Sequence, residues 1–174
     1  MYLHYFTVTT RQELLATRDC LCLAARRAAR EITREFDRAL RAHGLRATQF
    51  SLLAALELRG STRVSDLAEL LGTERTTLTR NLAVAEQHGL VRSAAGADAR
   101  ERILTISGTG RKALHAALSS WKVVQARVQR RLGEPAAESL RRICGGPSTL
   151  DSANAASAAA LGRPQRSRVA QTGR

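Results

Sequence analysis

Between positions 75 and 80 the chain sets three threonines and two arginines around one leucine: Arg75, Thr76, Thr77, Leu78, Thr79 and Arg80. These side chains break no bonds; their chemistry is hydrogen bonding. An arginine can donate in parallel to guanine O6 and N7, while a threonine offers a hydroxyl to phosphate or base and a methyl to thymine. A second group, Asp98, Arg100 and Arg102, puts a carboxylate beside guanidinium groups in a stretch rich in Ala and Gly. The third group is sulfur. Cys22 precedes Arg26 on what reads as the start of a helix. A thiolate beside a cation and near a helix N-terminus is favoured electrostatically and can be oxidised to a sulfenic acid or a disulfide.

Other chemistry lacks the residues it would need. His4, His43, His88 and His115 are scattered, without paired Cys or carboxylates at ligand spacing, so neither a metal nor another cofactor is expected. There is no Gly-rich phosphate loop, nucleophile elbow or clustered acid–base set, and the chain does not read as an enzyme. The cysteines, Cys20, Cys22 and Cys144, are too few and too unevenly spaced for a disulfide framework.

The elements that must position these groups are mostly helices. An apolar stripe at Leu21, Ala25, Ala28, Ile32, Phe36 and Ala39 predicts a first long helix from Asp19 to about His43, stopped by Gly44. A second helix is predicted over Thr48–Leu58, with Phe50, Leu53, Ala54 and Leu58 buried, and a third over Val64–Leu71. Gly72 ends that helix, and Thr73 is placed to cap a fourth over Glu74–His88. On that fourth helix Leu82 and Ala85 fall within about 40° of Leu78 and form the core side. Thr76 and Arg80 then lie opposite, with Thr77 and Thr79 on the flanks and Arg75 nearer the core edge. Two helices meeting across a tight turn make a helix-turn-helix. An ordinary solvent face would carry more Glu and Lys; this one suits a major groove.

Short strand-like runs at 90–92 and 102–106 flank a loop over 93–98, predicting a β-hairpin wing. Ser107 is the expected N-cap of a long helix to Leu132, buried on Leu114, Leu118, Trp121, Val124 and Val128. A short helix from Glu134-Pro135 to Ile143 closes the fold. The fold class is therefore mainly α, a winged helix-turn-helix with long dimerisation helices. Residues 1–18 read as an N-terminal arm and 19–145 as the regulator domain. Within it, a DNA-binding lobe spans about 46–107, and dimerisation helices span about 19–43 and 108–145. Residues 146–174 are Ser, Ala, Gly and Arg with few large apolar side chains, and predict a disordered tail.

The charge agrees with a polyanionic partner. Of 174 residues 28 are Lys or Arg and 15 Asp or Glu, a net +13. The stretch 146–174 carries four Arg against one Asp, so ten of those charges sit in the first 145 residues. Aromatics make up only 3%, so the core must be aliphatic. No apolar run reaches the roughly 18 residues that span a bilayer, and no secretory signal opens the chain. A cytoplasmic protein without a membrane partner is expected.

With these pieces in order, the sequence resembles the MarR family of bacterial transcriptional regulators. The residues that carry the likeness are Ala47-Thr48-Gln49-Phe50-Ser51-Leu52-Leu53, Leu67-Ala68-Glu69-Leu70-Leu71-Gly72, Arg75 to Leu82, Gly89-Leu90-Val91, and Asp98 to Arg111. The resemblance covers about residues 19–143. It implies a homodimer whose first and last two helices pack together, presenting two winged lobes to a palindromic operator in double-stranded DNA, as a repressor. It implies groove contacts from Arg75, Thr76, Thr77, Thr79 and Arg80, and a minor-groove contact from Arg100 held by Asp98, with Arg102 as a second wing contact. The wing tip, Ala94 to Ala97, departs from the family in lacking basic or Pro residues.

The family also implies a small aromatic or phenolic acid as effector, seated between dimer helices and reading lobes. Cys22 is similarly placed to the reactive cysteine of the family's peroxide-sensing branch. That branch holds its thiolate with two Tyr hydroxyls, and the matching positions here are Arg26 and Phe36. On the expected helix Cys20 lies on the other side from Cys22. Two alternatives stand beside a ligand-modulated regulator: a redox sensor using Cys22, and a basic protein that binds DNA of any sequence.

Overall fold

Aliphatic stripes at helical spacing dominate the chain, and the computed structural model, which describes residues 11–96 and 101–144, folds them into helices closed by one small sheet. In order these are α1 (Arg11–Ala16), a 3-10 turn (Thr17–Asp19), α2 (Leu21–Leu40) and a second 3-10 turn (Arg41–His43). There follow α3 (Ala47–Arg59), β1 (Thr62–Arg63), α4 (Val64–Leu70), α5 (Arg75–Gln87), β2 (Val91–Ala95), β3 (Arg102–Ile106), α6 (Gly108–Leu132) and α7 (Glu134–Ile143). The fold class is the expected one. Residues 11–18 of the expected arm form α1 and most of the first 3-10 turn. Residues 1–10 of that arm, the wing tip with Asp98 and Arg100, and the tail lie outside the described residues.

One aliphatic core binds α3, α4, α5, the sheet and the first half of α6. Leu53, Leu56, Leu67, Leu82, Leu104 and Ala117 are all fully buried in it. An aromatic stack sets Phe50 against Trp121, centroids 5.8 Å apart at 12° between planes, and so fastens α3 to α6. Beyond this core α2 runs along α6 and α7 folds back on α6. The first half of α2 departs from the lobe: every residue from Leu21 to Arg30 is exposed. The α2 stripe is therefore covered only at its C-terminal end, where Ile32, Phe36 and Ala39 are half-buried.

Several expectations need correction. Leu58 and Leu118 were expected inside but are 58% and 37% exposed. Leu58 sits one residue before α3 ends, where no later element covers the stripe. Thr73 does not cap α5; the cap position is Glu74, with no side-chain cap bond. The wing is larger than expected, because the ladder pairs Ala94 with Ile103 and Ala95 with Arg102. A third strand, β1, was not foreseen at all. It pairs Thr62 with Leu104 and Arg63 with Ile103, giving the antiparallel order β1-β3-β2.

The junction from α5 through the sheet to α6 is tightly built. Ser107 caps α6 as expected, its Oγ accepting from the Gly110 amide at 2.9 Å and donating to the Gly89 carbonyl at 2.6 Å. The Ser107 amide donates to the Leu90 carbonyl at 3.0 Å. That carbonyl presses so close to α6 that a Cβ on Gly110 would lie 2.1 Å from it. Gly110→Ala must therefore push α6 away from the end of α5. A loss of about 2–3 kcal/mol is expected, since overpacking against backbone cannot be relieved by a rotamer change. Urea unfolding of the variant and parent checks it, with equal stability the contrary result.

Candidate nucleic-acid interface

The outward face of α5 begins with the turn that delivers it. Gly72, at φ 58°, lets the chain reverse after α4, a left-handed conformation that costs a side-chain-bearing residue. The Gly72 amide donates to the Glu69 carbonyl and the Thr73 amide to the Ala68 carbonyl, both at 3.0 Å. These bonds close the end of α4 before α5 starts. Leu78, Leu82 and Ala85 then anchor α5, each no more than 1% exposed.

With those three buried, Arg75, Thr76, Thr77, Thr79 and Arg80 are all exposed. The structure thus brings the five predicted groove residues together on one side of one helix. Arg75, expected nearer the core edge, is exposed with the others. The Thr79 hydroxyl donates to the Arg75 carbonyl at 2.8 Å, so its proton is committed and its methyl and lone pairs are what it can present. Among the described residues neither Arg75 nor Arg80 has an ion-pair partner. The helical part of α5 carries no acidic residue in its first turn.

Arg102 is differently placed from the other predicted residues. Its Nη2 donates to both oxygens of Glu86, at 2.6 and 2.5 Å, tying the wing to the far end of α5. The neighbouring Glu101 pairs with Arg63 of β1 at 3.1 Å. Sequence reasoning did not single out Glu86, Arg63 or Glu101. Their partners lie across the sheet or in another element, and no local spacing signals that.

Cys22 lies in the first turn of α2 and is exposed, as is Arg26. Phe36, at the other position matching a family tyrosine, is half-buried. Cys20 is the N-cap of α2, with extended backbone at φ −62°, ψ 112°, and is also exposed. Among the described residues no cluster of His, Cys, Asp or Glu could hold a metal ion.

A cavity of about 700 Å³ opens between the end of α2, the start of α3 and the C-terminal half of α5, with Asp37, Arg41, Arg46, Gln49, Asn81 and His88 among its lining residues. Its walls are held by local bonds: the Asp37 carboxylate accepts from the Ala47 amide at 2.7 Å, and Gln49 Oε1 accepts from the Arg46 amide at 3.0 Å. No described helix is long and apolar enough to cross a membrane.

Comparison with known proteins gives this geometry a context. The sequence profile of the MarR family matches residues 43–101, from the 3-10 turn before α3 to the wing. The crystal structure of the M. tuberculosis transcriptional regulator MosR in complex with DNA is similar at 43% identity and TM-score 0.66, covering 82% of this chain and 100% of that one. A second crystal structure of MosR is similar at 40% identity and TM-score 0.64, covering 83% and 98%. A mutant MarR from E. coli complexed with operator DNA shares the fold at 16% identity and TM-score 0.66, covering 76% and 96%. No curated protein matches the chain.

Proposed function

The chain belongs to the MarR family of transcriptional regulators, and from that premise we propose that it binds duplex DNA as a homodimer, each protomer laying α5 in a major groove of a palindromic site. The observation that carries this reading is the outward side of α5, where Arg75, Thr76, Thr77, Thr79 and Arg80 are exposed together. It is supported by the relatives crystallised with DNA, MosR among them. Asp98 and Arg100 remain the wing residues assigned to the adjacent minor groove. Occupancy of the duplex by such a dimer would exclude other proteins from the same site, which suits repression.

The homodimer is supported by apolar surface at the ends of the long helices. Leu21 and Leu23 at the start of α2 are 84% and 46% exposed, and Leu140 and Ile143 on α7 are 46% and 81% exposed. A second copy is the natural cover for large side chains left this open.

Titration of duplexes from upstream of the coding region, at two salt concentrations and against random-sequence competitor, tests the reading. A sequence-specific regulator holds its site at a competitor excess that strips a protein gripping phosphates alone. Displacement as easy from the upstream fragment as from random DNA would leave only the sequence-tolerant alternative.

Modulation is read at two places. The cavity between α2 and α5, with Arg41 and Arg46 in its wall, suits a small aromatic or phenolic acid. The exposed Cys22 is the place for a thiol switch. A phenolic acid that releases DNA from a Cys22→Ser chain supports the first. Release by peroxide from the parent chain, with none from Cys22→Ser, supports the second.

A further inference from the structure

We propose that Glu86 and Arg102 are positioning residues that lock the wing onto the recognition helix α5, and that Arg102 reaches DNA through this lock rather than by contact. The inference rests on the DNA-binding reading for its consequence, but the lock itself is a property of the free protein.

Glu86 stands in the last turn of α5, and that turn holds no basic residue. A carboxylate at the negative end of a helix dipole is disfavoured unless a cation answers it. Arg102, the first residue of β3, supplies that cation through one Nη2 shared by both carboxylate oxygens, at 2.6 and 2.5 Å. The pair is half-shielded, with side chains 41% and 25% exposed, so the bond is less screened than one in open solvent. An arginine so engaged is a poor phosphate ligand, because binding DNA would strand Glu86 beside a polyanion.

The neighbouring residue acts to the opposite side. Successive side chains on a strand point to opposite faces, and Glu101, immediately before Arg102, pairs with Arg63 of β1 at 3.1 Å. At the same level the Gly96 amide donates to the Glu101 carbonyl at 2.8 Å, closing the described part of the hairpin. The outer end of the described β2–β3 ladder is thus held from two sides, to α5 by Arg102 and to β1 by Glu101. How the wing is presented to DNA is set by where this end of the ladder is held.

The test uses the full chain with Glu86→Ala, Arg102→Ala, the double alanine and the charge swap E86R/R102E. In the free protein, amide hydrogen exchange in β2 and β3 is expected to rise about five-fold in either single variant. Exchange in α4 and in α5 before Glu86 stays unchanged, and the swap restores the parental rate in the wing. With DNA, each single variant weakens binding about five-fold, the double alanine weakens it no further, and footprint protection is lost at the flanks while the half-site centres stay covered. The swap recovers affinity. Unchanged wing exchange in the single variants overturns the lock. So does DNA binding that weakens with Arg102→Ala but holds or tightens with Glu86→Ala, since Arg102 is then a contact. If the parent chain does not bind duplex DNA, the function proposed above fails, and the exchange rates still decide whether the lock exists.

Discussion

On the homodimer proposed above, a chain carrying both Leu21→Glu and Ile143→Glu is expected to be monomeric, with the association constant lowered by at least about a thousandfold. The two side chains are 84% and 81% exposed in the single chain, on the opening turn of α2 and at the end of α7. Full burial of a Leu or Ile contributes about 1.5–3 kcal/mol. A symmetric interface contains each residue twice, so four such burials are lost together. Burying the new carboxylates unpaired would add to that cost. The effect on DNA follows from avidity: two linked lobes bind a palindrome about a hundred to ten thousand times more tightly than one. The monomer should keep the half-site affinity of a single lobe and lose this gain. Sedimentation equilibrium together with titration of one-half-site and two-half-site duplexes measures both effects. Because the substituted positions lie outside the core, circular dichroism should be unchanged. A dimer that survives both substitutions would place the interface elsewhere.

The same residues show how far the sequence could be read. Local periodicity located α3, α4, α5 and α6 to within a residue or two, since each buries a stripe on one side and is closed by a turn residue, Gly60, Gly72, Gly89 or Gly133, while Glu134-Pro135 marked the start of α7. Periodicity cannot say what covers a stripe. Leu21, Ala25 and Ala28 repeat as regularly as Ile32, Phe36 and Ala39, yet only the second set meets α6 within the chain. β1 was invisible because two residues have no period; Thr62 and Arg63 form a strand only because Leu104 and Ile103 stand opposite them. Ala94 and Ala95 read as loop because alanine is a poor strand former, and their partners on β3 override that preference. The exposed arginines and threonines of α5 were legible as one face because they share one helix, where sequence spacing alone assigns the face. The pair Glu86–Arg102 was not, because it joins two elements.

Arg80→Ala is expected to cost about 1–3 kcal/mol at each half-site and so about 2–6 kcal/mol on a palindrome, which is about thirtyfold to ten-thousandfold in affinity. The reason lies in how α5 is seated. With Leu78, Leu82 and Ala85 fixed in the core, the helix cannot rotate to offer another side chain, and Arg80 projects from the pole opposite Leu78. Among the described residues it has no carboxylate partner to surrender, unlike Arg102, so its guanidinium is free to make the bidentate pair that reads guanine. Removing it should also relax the preference at one base position in each half-site. A lysine there would keep the charge and lose the fork, so Arg80→Lys should hold most of the non-specific affinity while losing the same base preference. That contrast separates reading from simple attraction. If Arg80 only met phosphate, Arg80→Ala would weaken all duplexes alike and reduce the salt dependence by about one phosphate per protomer, and Arg80→Lys would be near neutral. Binding measured on a panel of half-site variants, for both substitutions and at two salt concentrations, distinguishes these outcomes. A panel that shifts uniformly would demote α5 from reading the sequence to gripping the backbone.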